Sequence, residues 1–322
     1  MNVIDFRDQP SHHERYDEEY AGLPVTTVPL SEEDGTQSKA GAVAWRLHAT
    51  EWDDDAPSDD IREVLDWFFD HVDTTKVTAI VVGNWECTDN DSEIVVQRLS
   101  AEAARLPALR SLFFGAIPPE EAEISWIQQS DLTSLLEAFP KLEHLEVRGG
   151  SGLVLQPVRH ESLRTLRIET GGLPSAVVRG VAAGDLPALE FLELWFGIAE
   201  YGGDATAADL APIMSGDRLP SLLHLRLQNA DFQDDIAAAV AGAPIVARLE
   251  SLSLSMGSLT DAGAESLLTG QPLTHLRRLD LSHHYLSDTT MTRLTDALPD
   301  VELILTNQRK TDDDWRYVAV SE

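Results

Sequence analysis

One apolar spacing recurs along the chain and restricts what it can fold into. An apolar residue is followed by two variable residues, a second apolar residue, one variable residue and a third apolar residue. It reads Val77–Ile80–Val82, Leu109–Leu112–Phe114, Leu142–Leu145–Val147 and Leu163–Leu166–Ile168. It continues as Leu189–Leu192–Leu194, Leu222–Leu225–Leu227, Leu249–Leu252–Leu254 and Leu276–Leu279–Leu281, with a degenerate copy from Val301. First positions lie 21 to 33 residues apart, 28 on average. The last two apolar positions of each copy are two residues apart, so they share one face of a short strand. The intervening residues are enough for a crossover that lays each strand parallel to the last. A unit this small cannot bury its own apolar face, and copies must stack to share a core.

Several copies turn helical after the strand. SLTDAGAESLLTG (258–270) places Leu259, Gly263 and Leu267 four apart, and YLSDTTMTRLTDALP (285–299) sets Leu286, Met291, Leu294 and Leu298 on one helical face. SDLTSLLEAF (130–139) opens with Ser130 as the expected N-cap. This is the leucine-rich-repeat signature, at the long end of its range of roughly 20–29 residues. Helical returns at this length resemble the ribonuclease-inhibitor-like class. The expected fold is an α/β leucine-rich-repeat solenoid, a horseshoe with a parallel sheet on its concave face and helices on its convex face. The sequence divides into an acidic, largely irregular segment (1–40), a capping strand and helix (41–76), the solenoid (77–308) and a tail (309–322). The cap consists of GAVAWRLHA (41–49), where regular structure is expected to begin, and DIREVLDWFFDHV (60–72). In the latter, Ile61, Val64, Leu65 and Phe68 share a face, flanked by Phe69 and Val72. In the tail, Trp315, Tyr317 and Val318 either pack over the last repeat or leave it mobile.

Charge narrows the partners. The chain has 55 Asp+Glu against 24 Lys+Arg, a net of −31. Nucleic acid and anionic membrane both require local positive charge, so neither is expected as a partner. Residues 1–75 hold 19 acidic and 5 basic side chains, and the first twenty read as disordered. EWDDDAPSDD (51–60) lacks the alternate-oxygen spacing of a calcium loop and reads as a solvated loop ending in the N-cap of the next helix. With one cysteine there is no intramolecular disulfide and no multi-cysteine metal site. No window approaches the roughly 20 apolar residues of a membrane span, and the N-terminus lacks a signal-peptide layout. A cytoplasmic protein is expected.

The variable strand positions point to the concave side. Their middle column reads Val81, Phe113, Glu146, Arg167, Glu193, Arg226, Ser253 and Asp280, with four consecutive members alternating in sign. At about 4.8 Å between strands these charges can pair across the sheet. The column is then a self-satisfied ion ladder, a polar surface for a partner, or both. Flanking columns add His144, Thr165, Phe191 and His224 on one side and Arg148, Glu169, Trp195 and Gln228 on the other. Alternation places Phe191 and Trp195 on the solvent side, either exposed as binding hot spots or covered by long loops.

Two long copies flank two short ones, which predicts a notch at the C-terminal edge of the strands. Its lips are Trp126 and Tyr201, and its floor is the turns Gly149, Gly150, Gly171 and Gly172. These glycines either let a ligand approach the backbone or simply permit tight turns. Asp280, His283 and His284 supply metal-ligating chemistry, but adjacent histidines in an extended segment point to opposite sides. Capping or surface roles are expected there. Cys87, in WECTDND, has no basic neighbour to lower its pKa. Phosphate-binding loop, GxSxG and HExxH motifs are absent.

EISWIQQSD (123–131), LELWFGIAEYGGDATAADLAP (192–212) and GQPLTHLRRLDLSHHYLS (270–287) resemble segments of a family of uncharacterised bacterial leucine-rich-repeat proteins. The resemblance runs from about Gly22 to Leu305. Members are typical of high-GC soil bacteria, and some relatives are encoded beside radical-type metalloenzymes, an ATP-grasp-like protein and a phosphatase-like hydrolase. The resemblance implies an accessory role near a modification pathway and carries over no catalytic residue. The leading expectation is a non-catalytic scaffold, without cofactor or bound metal, that holds a protein or peptide, favourably a basic one. Its contacts are drawn from Trp126, His144, Glu146, Arg148, Arg167, Glu169, Phe191, Glu193, Trp195, Tyr201, His224 and Arg226. Two alternatives stand beside it: a small-ligand or metal-dependent enzyme site in the notch or at the Asp280–His283–His284 corner, and an inhibitor or immunity-type protein for a basic enzyme.

Overall fold

The computed structural model describes residues 18–28, 40–49, 58, 60–311 and 315–322. The expectations for residues 1–17 and 29–39 of the irregular segment and for most of the acidic run 51–60 lie outside them. The chain divides into two compact units, residues 1–154 and 155–322.

In the first unit, strands β1 (Glu19–Tyr20), β2 (Leu23–Thr27), β3 (Ala44–Ala49), β4 (Ala79–Trp85), β5 (Ser111–Phe114) and β6 (His144–Arg148) pair in chain order. All pairs are parallel except β1–β2, a hairpin whose turn residues Ala21 and Gly22 both have positive φ. Regular structure therefore begins before the 41–49 strand. β2, from the segment AGLPVTTVPL, adds in parallel to the edge of β3. Tyr20 lies against Phe113, with ring centroids 6.1 Å apart, and joins a buried cluster with Ala44, Ala79 and Val81. Helix α1 (Ile61–His71) is capped by Asp60, whose carboxylate accepts the Arg62 N–H at 2.8 Å. Its expected apolar face is buried, together with Trp67. Helices α2 (Glu93–Ala101) and α3 (Thr133–Ala138) follow β4 and β5. Ser130 is not the cap of α3. It bonds Ser92 Oγ at 2.8 Å, and Asp131 accepts the Thr133 N–H at 2.9 Å instead, because a carboxylate one position later reaches the free amides of the first turn.

In the second unit, β7 (Thr165–Glu169), β8 (Phe191–Gly197), β9 (His224–Ala230), β10 (Ser251–Ser253), β11 (Arg278–Asp280) and β12 (Glu302–Ile304) pair in parallel, again in chain order. Register keeps the leucines stacked: Leu166, Leu192, Leu225, Leu252, Leu279 and Leu303 follow one another across the ladder, and the first five are buried. Returns are the helices α4 (Ser175–Ala183), α5 (Ala211–Ser215), α6 (Gln233–Ala241), α7 (Asp261–Thr269) and α8 (Asp288–Ala297). The short copy starting at Leu142 makes no helix in its return.

Aspartates stitch neighbouring returns. Asp234 of α6 accepts the Thr260 and Gly263 N–H groups, at 2.8 and 3.1 Å, at the start of α7. Asp261 accepts the Ser287 N–H at 2.8 Å at the start of α8. Asp204 accepts the Ser175 N–H of α4 at 2.5 Å, and that backbone bond holds its carboxyl below the ordinary aspartate range. Each carboxylate satisfies amides that a helix start leaves without an intrahelical partner. The fold is an α/β leucine-rich-repeat solenoid.

Candidate functional site

The alternating column is present, but it is not a solvated surface. In the second unit Glu193 holds Arg167 through contacts of 3.3 Å and Arg226 at 3.4 Å, and Arg167 also reaches Glu169 at 3.4 Å. Arg167, Glu169 and Glu193 are each at least 98% buried. Trp195 is buried as well. Its indole N–H faces Glu193 Oε1 at 2.9 Å and Gln228 Oε1 at 3.2 Å. The ring of Phe191 is covered by the Arg226 guanidinium, 5.0 Å from its centroid, beside His224. These side chains share one face of the sheet, and of the two outcomes left open for Phe191 and Trp195 exposure is not realised, since both are covered. At about 4.8 Å between strands, large side chains fold sideways over their neighbours and cover one another. In the first unit Glu146 and Arg148 are buried likewise. Among the residues singled out from sequence, Trp126 is 59% exposed, and His144, Tyr201, His224 and Arg226 are half-buried.

The residues expected to shape a notch belong to both units: Trp126, Gly149 and Gly150 to the first, Gly171, Gly172 and Tyr201 to the second. Inside each unit the glycines meet protein. A Cβ on Gly149 would press on Ile127, and one on Gly172 would collide with the Tyr201 carbonyl. Close backbone packing explains both without a ligand.

Two places besides the notch were candidates for chemistry. Cys87 is fully buried, and desolvation, with the Glu121 carboxylate as the next cause, pushes its thiol up to about 12. A thiol so placed is not a nucleophile at neutral pH. Nearby, His48 Nδ1 accepts the Asn84 N–H at 3.0 Å, and Asn84 donates to Glu121 at 3.1 Å. These groups serve the backbone at the end of β4. At the other corner, Asp280 accepts the Ser282 N–H at 2.9 Å, His283 Nδ1 sits 3.3 Å from the Gly257 carbonyl, and His284 bridges the Leu305 carbonyl and the Leu286 N–H. Burial lowers the pKa of both imidazoles. The two rings serve different backbone partners, and no group of three His, Cys, Asp or Glu side chains among the described residues is arranged to hold a metal ion.

A different site was missed from sequence. An open groove of about 710 Å³ lies between the start of α1 and the β4–α2 loop of the first unit. Asp60, Glu86, Asp89, Asp91 and Glu93 line it, against Arg62. The loop is fixed in shape. Glu86 has a φ of 63°, and its carbonyl accepts the Asp89 and Asn90 N–H groups, each at 3.0 Å. Trp85 Nε1 donates to the Asn90 carbonyl at 3.2 Å, and Asn90 donates back to the Glu86 carboxylate at 2.9 Å. Gln128 forms part of the lining, and its N–H donates to the Cys87 carbonyl at 2.9 Å. Exposed Trp126 is two residues away on the same segment. The signal in sequence was ECTDNDSE (86–93), four carboxylates in eight residues, overshadowed by the denser run at 51–60.

The tail also departs from expectation. Trp315 and Tyr317, expected either to pack over the last repeat or to belong to a mobile tail, are 68% and 62% exposed. Backbone bonds of the tail hold it instead to Met256, Asn229 and Tyr285. Among the described residues, no helix is long and apolar enough to cross a membrane.

No protein-family model matches the chain, and no curated protein matches it significantly. Among solved structures, a Bacteroides fragilis protein aligns with a TM-score of 0.72 and 30% sequence identity, over 77% of this chain and 71% of that one. An internalin from Listeria monocytogenes aligns with a TM-score of 0.41 and 16% identity, over 71% of this chain and 54% of that one.

Proposed function

The chain belongs to the same family as the Bacteroides fragilis protein, and we propose that it uses its repeat fold as a non-catalytic scaffold gripping a basic segment of a partner protein. The acidic groove of the first unit carries this reading. Five carboxylates stand there against one guanidinium. A loop cross-braced by its own backbone and the start of α2 hold four of them in place before any partner arrives, and the fifth, Asp60, caps α1. Lys or Arg side chains complement such a lining, and the field of the acidic chain speeds their encounter. Trp126 offers an aromatic face on which a partner's cation or aromatic ring can rest. The resemblance noted in the sequence supports an accessory role in the cytoplasm beside a modification enzyme, with the scaffold presenting or holding a protein.

The test is capture from native lysate at about 50 mM and about 200 mM salt, the range over which screening of surface charge becomes strong. The baits are wild type, Asp89→Lys/Glu93→Lys and Trp126→Ala. A stoichiometric basic partner held by wild type at low salt, and lost in the charge-reversed variant, supports the reading. A partner held equally by all three baits at both salts removes the groove from the account.

A further inference from the structure

Asn229, Met256 and His283 follow one another at intervals of 27 residues, and all three have positive φ, at 59°, 69° and 56°. Non-glycine residues rarely adopt this left-handed region, and such positions cluster where a ligand is held. Each residue keeps its N–H in the repeat-to-repeat ladder, donating to Ser255, Ser282 and Thr306 carbonyls at 3.0, 2.9 and 3.0 Å. The left-handed turn leaves the Met256 carbonyl, and the Asn229 side chain apart from a long 3.5 Å contact to the Thr170 carbonyl, to serve something outside the ladder.

The tail takes both. Asn229 donates from Nδ2 to the Val320 carbonyl at 2.5 Å and accepts the Val320 N–H on Oδ1 at 2.9 Å. The Met256 carbonyl accepts the Ala319 N–H at 2.7 Å. Tyr285 repeats the double contact: its hydroxyl accepts the Tyr317 N–H at 2.8 Å and donates to the Tyr317 carbonyl at 3.1 Å. Tyr201 donates to the Glu322 carboxylate. From Tyr285 back to Tyr201 the tail passes four strand ends, three steps of about 4.8 Å or ~14 Å. The five residue steps from Tyr317 to Glu322 span at most ~17 Å when extended. The reach exceeds the span by only ~3 Å, and a bend at Ala319 takes up the difference. All these contacts except that of Tyr201 address backbone atoms. They read a peptide backbone without regard to sequence, while Val318 and Val320, on either side of the bend at Ala319, are half-buried.

We infer that the C-terminal edge of β8–β11 is a binding site for a peptide backbone, filled in this chain by its own residues 317–322. The outside ligand is a partner segment of the same chemistry: aliphatic residues at alternate positions, followed two residues later by a carboxylate. This site lies in the second unit and is independent of the acidic groove, so its test shares no residue with the one above.

The probe is the labelled peptide WRYVAVSE, titrated by fluorescence anisotropy into full-length protein. A tethered tail competes at an effective concentration on the order of millimolar. If the free peptide binds with a Kd of about 0.1 mM, the wild-type chain takes it about tenfold more weakly than a chain whose tail cannot dock. Ala319→Pro/Val320→Pro provides that chain by deleting the two N–H groups given to Met256 and Asn229. The expected result is about tenfold tighter peptide binding to the double-proline chain, abolished by adding Asn229→Gly. That change keeps the left-handed backbone and removes only the amide. Tyr285→Phe, which removes one hydroxyl, is the second check and weakens the peptide in the same background. Equal affinity for wild-type and double-proline chains overturns the assignment, as does binding that neither Asn229→Gly nor Tyr285→Phe reduces.

Discussion

Glu193 serves three donors from one carboxylate: the Arg167 and Arg226 guanidiniums and the Trp195 indole N–H. Removing it strands cationic groups in a site where Arg167 is 98% buried. Glu193→Ala is expected to cost about 3–5 kcal/mol, the range for breaking a buried ion pair from one side. Glu193→Leu/Arg167→Met/Glu169→Gln, which also removes the buried carboxylate that Arg167 serves, should recover much of that loss. Urea unfolding of the three chains checks this, and equal midpoints for wild type and Glu193→Ala would show that the column is hydrated. Cys87 gives a second test. Its folded thiol titrates at about 12 against an ordinary 9.0, so the unfolded chain loses the proton first. The contribution is fully present below pH 9 and declines as pH rises toward 12, by about 1.4 kcal/mol per pH unit. The difference in stability between wild type and Cys87→Ala, followed from pH 8 to pH 10.5, should shrink with that slope. A constant difference would place the thiol in contact with solvent. Both residues show what residue-level reading of a sequence can reach. The absence of basic neighbours around Cys87 was visible and agrees with the inert thiol. The burial of Glu193 was not, because strand alternation says which face a side chain takes and nothing of what lies over that face.

At the scale of elements, the eight strand motifs were legible because each carries its own apolar period. Helices α7 and α8 were legible for the same reason. The β1–β2 hairpin was not, since Ala21 in a left-handed turn carries no residue signal. Nor was the acidic groove, which brings the start of α1 together with a loop more than twenty residues further along the chain. Return geometry is specified by close approach rather than by propensity, and Gly180 of α4 separates the two. Mid-helix, Gly→Ala ordinarily stabilises by roughly 1 kcal/mol. Here the added Cβ would collide with the carbonyl oxygen of Leu155, a rigid backbone atom of the helix-free return. Overpacking should win, leaving Gly180→Ala destabilised by about 1–3 kcal/mol. Gly242, at the end of α6, faces open space with an ordinary negative φ. Gly242→Ala is expected to be neutral or to stabilise by up to about 1 kcal/mol, through lost freedom in the unfolded chain. Thermal unfolding of the pair decides it. If Gly180→Ala is the more stable of the two, α4 does not lean on the preceding return.

For the whole molecule the governing quantity is a net charge of −31. Two electrostatic effects respond to salt in opposite directions. Screening weakens surface ion pairs such as Arg164–Glu190 and Arg293–Glu265, which lowers stability. It also weakens repulsion among like charges, which raises stability. The balance follows from stoichiometry. With 24 basic side chains for 55 acidic ones, most carboxylates have no cation to pair with, and exposed pairs are worth at most about 1 kcal/mol each. Repulsion should dominate, so the unfolding temperature is expected to rise by a few degrees, about 2–6 °C, between ~10 mM and ~200 mM NaCl. Capture of a basic partner by the acidic groove should fall over the same range, because there the screened interaction is attractive. Stability and binding measured on one preparation should therefore move in opposite directions along the same salt series. A falling unfolding temperature would mean that the ion pairs outweigh the repulsion. Binding that strengthens with salt would mean that the partner is held by apolar contact rather than by the carboxylates of the groove.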